Sequence, residues 1–124
     1  MPEVFKMAIA VAPVTNWRFY DNIYTERYMG LPADNGDGYD ADSPLYHVDG
    51  LEGKYMLIHG TGDDNVHVQN SMRMVEALVK DDKDFDWFAY PDKNHGIFVG
   101  NTRMHLYRMT VSYTHLTLPT ILLV

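Results

Sequence analysis

The chain has 124 residues, 46% of them hydrophobic and 13% aromatic, which suits one packed domain and argues against disorder. Acidic residues outnumber basic ones 17 to 10 for a formal charge of −7, and no segment gathers Lys and Arg into a nucleic-acid footprint. Cysteine is absent, excluding disulfides, thiol catalysis and thiolate metal sites, and no apolar stretch reaches membrane-spanning length.

The start, MPEVFKMAIAVAPV, has a short apolar run without a clear basic region or cleavage site, so any export signal is expected outside this chain. FKMAIAVAPV itself reads as a buried strand, continuous in Ala, Val and Ile and stopped by Pro13. In TNWRFYDNIYTERYMGLP the aromatics Trp17, Tyr20, Tyr24 and Tyr28 recur at helical spacing, and Gly30 and Pro32 close the segment. ADNGDGYDADSP reads as a loop. Asn35, Asp37 and Gly38 match part of a calcium loop, but its first and last ligand positions fall on Ala33 and Pro44, which supply no such ligands.

KYMLIHG predicts a second strand. VQNSMRMVEALVK spaces Val68, Met72, Val75 and Val79 as an amphipathic helix would. DFDWFAYP predicts a third strand, DKNHGIFVGN a loop, and TRMHLYRMT the start of another helix. This alternation implies an α/β fold, a parallel sheet with flanking helices, whose chemistry sits in loops at the carboxyl ends of the strands. GTGDDNVH and DKNHG are the two such loops.

An aspartate after one strand and a histidine after the next occur in the order of the acid and base of an α/β-hydrolase triad. In that chemistry the imidazole takes a proton from a hydroxyl while a carboxylate holds the ring in the right tautomer. Spacing leaves other readings open: Asp63 and Asp64 as turn or capping residues, and His95 as an ordinary loop histidine. A metal site from His59, Asp63, His67 and His95 would need the first three on one helical face, against Gly60 and Gly62. His47, His105 and His115 have no evident partners and read as surface or packing residues.

The motifs IAVAPVTNW, YTERYMGLP, IHGTGDDNVH and NHGI, in this order across roughly residues 4–110, closely resemble the dipeptidyl peptidase IV family. That family lies in the prolyl oligopeptidase group of serine peptidases, and the chain looks most like its bacterial members. The resemblance implies the C-terminal part of an α/β-hydrolase catalytic domain over residues 1–110, working without a cofactor. The activity implied is removal of N-terminal dipeptides from peptides with proline, or less readily alanine, in second position. By motif, Asp63 is similar to the triad acid and His95 to the base, while Asn65 matches the asparagine that holds the substrate carbonyl. Trp17, Tyr20 and Tyr24, with Val14 and Val66, match the pocket for the proline ring. The resemblance also implies a homodimer and a periplasmic, cell-surface or extracellular setting for the complete enzyme.

The family's GxSxG elbow has no counterpart here, and Ser43, Ser71 and Ser112 stand in the wrong context for a nucleophile. The substrate-binding propeller and the oxyanion-hole tyrosine of the family are likewise unmatched, so the chain reads as a fragment, inactive alone. Animal members carry a cysteine at the position of Met7. The last segment, VSYTHLTLPTILLV, departs from the family, and its first ten residues equal one frame of a common transposase sequencing adapter. Residues 111–124 are therefore expected to be read-through. Two other functions compete: an inactive binding module that kept the hydrolase fold, and another hydrolase of the fold such as an esterase or acylaminoacyl peptidase.

Overall fold

A computed structural model describes residues 4–117. Three strands, β1 (Met7–Val11), β2 (Lys54–Gly60) and β3 (Asp86–Tyr90), form one parallel sheet in the order β1-β2-β3. The register sets Val11 beside Ile58 and Gly60 beside Tyr90, so all three strands run out at one edge. Parallel pairing requires long crossovers, and these carry α1 (Asn22–Met29), α2 (Gly36–Ala41) and α3 (Gln69–Lys80). Helix α4 (Thr102–Thr117) follows β3.

Strand β2 is the middle strand, buried from Met56 to Gly60. Its alternating side chains feed two cores. Met56 and Ile58 pack with Tyr90, Ile97, Leu106 and Tyr113 toward α4, whereas Leu57 packs with Met74 and Leu78 of α3. Contrary to the expectation of a fully buried first strand, β1 exposes Ala8 and Val11, because it lies at the sheet edge with only β2 beside it among the described residues.

Three further expectations need correction. The aromatic segment is two pieces: a 3-10 turn at Trp17–Phe19, then α1, with Asp21 capping α1 by accepting a hydrogen bond from Tyr24 N at 2.9 Å. Gly30, at φ 72°, ends α1 as the sequence suggested. The segment taken for a loop contains α2, held by Tyr39, which is buried and donates its hydroxyl to Gly30 O at 2.8 Å. Asn35 turns its amide onto Met29 O at 2.8 Å.

In α3 the buried stripe is Asn70, Ser71, Met74 and Leu78, while Met72 and Val79 face solvent. The helix is amphipathic as the sequence predicts and Val75 packs against the α3-side core, but the buried stripe is led by two polar residues, so Met72 and Val79 fall outside it. Helix α4 runs without interruption through residue 110 to Thr117, and its Tyr113 joins the core. The rest of the expected tail, 118–124, lies outside the described residues. No helix among the described residues is long and apolar enough to cross a membrane.

Candidate active site

The loops after β2 and β3 meet. Gly60 ends β2 where a side chain would run into the backbone of Lys93 and Asn94, and Gly62 N donates to Lys93 O at 3.1 Å. Across this seam Asp63 faces His95: Nδ1 of the histidine lies 2.9 Å from Asp63 Oδ2. The other carboxylate oxygen accepts from Asn65 N at 3.0 Å and Val66 N at 2.9 Å, an arrangement that folds the loop around its own acid. Asp64 is exposed and outside this network.

Asp63 is buried, but the side chain of His95 is 43% exposed. With Nδ1 given to the carboxylate, Nε2 is left with no protein partner among the described residues and holds the lone pair that a general base needs. Two residues on, Ile97 is fully buried at φ 43°, a left-handed backbone unfavourable for a β-branched residue. Its packing against Ile58 and Leu106 offsets that strain and anchors the histidine loop.

A second imidazole, whose place sequence reasoning missed, reaches the same carboxylate. His59 is fully buried, with Nε2 at 3.1 Å from Asp63 Oδ2 and 2.7 Å from Val66 O, and Nδ1 at 2.7 Å from Ser71 Oγ. Strand alternation gave the available signal: His59 shares the α3-facing side of β2 with Tyr55 and Leu57. Of the alternative metal set, His59, Asp63 and His95 meet through hydrogen bonds at one carboxylate oxygen while His67 is exposed, and no cluster of His, Cys, Asp or Glu among the described residues is arranged to hold a metal.

Trp17, Tyr20 and Tyr24 do come together despite the break between turn and helix. Ring centroids are 6.3 Å apart for Trp17 with each tyrosine and 5.6 Å between the tyrosines, edge-on except for the stacked Trp17–Tyr24 pair. Trp17 is fixed by donating its backbone N–H to Ser43 Oγ and its indole N–H to Asp42 O. A cleft of about 370 Å³ opens beside Trp17, Tyr24, Thr25 and Tyr28. Val14 is half-buried and Val66 buried, and neither lines the two clefts beside these rings. The Asn65 carboxamide is exposed without a partner among the described residues.

Asn70 ties the aromatic segment to the acid loop. Its Oδ1 accepts from Thr15 N at 3.0 Å and Asn16 N at 3.4 Å, while its Nδ2 donates to Phe19 O and His67 O. The remaining histidines have partners after all: His47 with Ala41 O, His105 with Tyr90 Oη, and His115 with Val111 O. Among the described residues no serine hydroxyl reaches His95: Ser43 and Ser71 are fully buried and engaged elsewhere, and Ser112 is exposed on α4.

A three-stranded parallel sheet with an acid and a histidine joined across adjacent strand ends is part of an α/β hydrolase. The chain belongs to the prolyl oligopeptidase family, whose model matches residues 1–118. It is 51% identical over 111 residues to venom dipeptidyl peptidase 4 of Apis mellifera and 48% over 107 residues to dipeptidyl peptidase 4 of Felis catus. These alignments cover 87% and 84% of this chain but 14% of each relative. The crystal structure of Porphyromonas gingivalis dipeptidyl peptidase 4 superposes with a TM-score of 0.90 at 48% identity, over 92% of this chain and 16% of that one. The resemblance to the dipeptidyl peptidase IV family read from the motifs is thereby borne out.

Proposed function

We propose that this chain is the acid–base segment of a serine exopeptidase that removes N-terminal Xaa-Pro, and less readily Xaa-Ala, dipeptides. The contact of Asp63 with His95 Nδ1 carries the reading, because it leaves His95 Nε2 able to take the proton of a serine hydroxyl and later return it to the leaving amine. Asp63 holds the ring orientation and balances the imidazolium as it forms. Asn65 would hold the substrate carbonyl, and Trp17, Tyr20 and Tyr24, with Val14 and Val66, would receive the proline ring. The nucleophile would come from a GxSxG elbow elsewhere in the complete enzyme, which we take to be a homodimer. Residues 111–124 are proposed to be foreign to it, and the gene in its genomic context would show whether the family's helix continues there.

The test has two parts. The 124-residue chain incubated with a Gly-Pro chromogenic substrate should release product only at background, and release lost on Asp63→Ala would overturn the proposed division of the triad. In a complete enzyme carrying this segment, His95→Ala should abolish turnover and Asp63→Asn should lower kcat on the order of 10⁴-fold, with Asp64→Asn much milder. A larger effect at Asp64 would defeat the assignment.

A further inference from the structure

His59 touches both ends of the turn that carries the acid. Its Nε2 meets two acceptors, Asp63 Oδ2 and Val66 O, neither of which has a hydrogen to give when Asp63 is a carboxylate. The ring hydrogen assigned by these contacts is therefore on Nε2, shared between the two oxygens. Nδ1 then presents its lone pair to the Ser71 hydroxyl, which donates to it at 2.7 Å. Every polar atom of the ring is thus used in a place with no access to water, as burial requires.

Ser71, His59 and Asp63 form a Ser–His–Asp chain that resembles a catalytic triad in composition alone. Its serine and histidine are fully buried, and the acid and Val66 O share one ring nitrogen, so the chain has no route to a substrate. What it can do is fix the acid. Asp63 Oδ2 receives both imidazoles, His95 from the open side and His59 from beneath, and the carboxylate cannot rotate away from His95 without breaking the His59 contact.

We infer that His59 is a positioning residue: clamped by Ser71 of α3, its Nε2–H staples Asp63 to Val66 O and so aims the carboxylate at His95. The inference rests on the proposed acid and base roles of Asp63 and His95. A loosened carboxylate leaves the imidazole free to turn from its productive geometry, and misplacement of that kind costs on the order of 100-fold.

The test uses the complete enzyme, with Asp63→Asn and His95→Ala as controls. His59→Leu should lower kcat roughly 10- to 100-fold, and His59→Gln, whose amide N–H can occupy the Nε2 position, should recover most of the loss at similar thermal stability. A folded Leu variant with unchanged kcat, or a folded Gln variant no better than Leu, overturns the inference. Where the variants fail to fold, the wild-type ring decides: ¹⁵N-histidine labelling should find the His59 hydrogen on Nε2, and a hydrogen on Nδ1 with bare Nε2 refutes the staple. Full turnover in both controls would instead defeat the serine-peptidase reading, with the tautomer still reporting on the staple.

Discussion

A Cβ placed on Gly60 would lie 2.2 Å from the carbonyl oxygen of Lys93, closer than any real contact. The obstruction is backbone, so relief requires the two loops to separate, and with them Asp63 and His95. Gly60→Ala should therefore destabilise the fold by about 1–3 kcal/mol, as overpacking does. It should also lower peptidase turnover in the complete enzyme beyond what unfolding accounts for. Denaturant midpoints with activity at low temperature check both, and a neutral variant would show that the loops can part freely.

Specificity should follow the aromatic wall. Tyr24 stacks on Trp17 and meets Tyr20 edge-on, so Tyr24→Ala removes ring contact and leaves its neighbours less constrained. In the complete enzyme the preference for Gly-Pro over Gly-Ala substrates, as a ratio of kcat/KM, should fall roughly 10-fold or more. If the ring only packs the core, the melt should shift while the ratio stays constant.

Thr25 gives a prediction of opposite sign. Its hydroxyl is buried in α1 and makes no hydrogen bond among the described residues. Thr25→Val keeps the shape and removes the unsatisfied group, which should raise stability by about 1 kcal/mol. A lower melting temperature for this variant would mean that the hydroxyl finds a partner.

Alkaline stability should depend on Tyr55. Burial against the α3-side core pushes its hydroxyl pKa up to about 12 from 10.0. Below pH 10 folded and unfolded chains both keep the proton, and stability is undiminished. Between pH 10 and 12 the unfolded chain releases it first, so stability falls as pH rises. Tyr55→Phe should flatten part of that decline in urea titrations across this window. A residual slope should remain from Tyr113, also pushed up to about 12, chiefly by burial and then by Asp86. An unchanged slope in Tyr55→Phe would rule out its share.

Hydropathy and turn chemistry made the sheet legible, since KYMLIHG is largely an apolar run and DFDWFAYP alternates in part, each bounded by loops. Loop position then drew attention to Asp63 and His95, and the family resemblance chose Asp63 over Asp64. His59, Asn70 and Ser71 were not legible in their roles because all three are buried polar groups, and periodicity searches look for apolar ones. Their burial is sustained by hydrogen bonds between segments as far apart as Thr15 and Asn70, which no local pattern encodes. Helix α2 escaped for a related reason: GDGYDA has little helix propensity, and the tertiary anchor of Tyr39 overrides it.

Asn70 and Ser71 are adjacent on α3, one reaching the aromatic segment and the other the acid through His59. Helix geometry turns about 100° per residue. A single inserted or deleted residue between Val68 and Ser71 would thus swing one of these contacts off its target, whereas a conservative exchange at either position leaves the angular register intact. The length of this stretch therefore sets the angle between the two contacts, and the aromatic segment and the loop of Asp63 are indexed to each other through neighbouring positions on one helix.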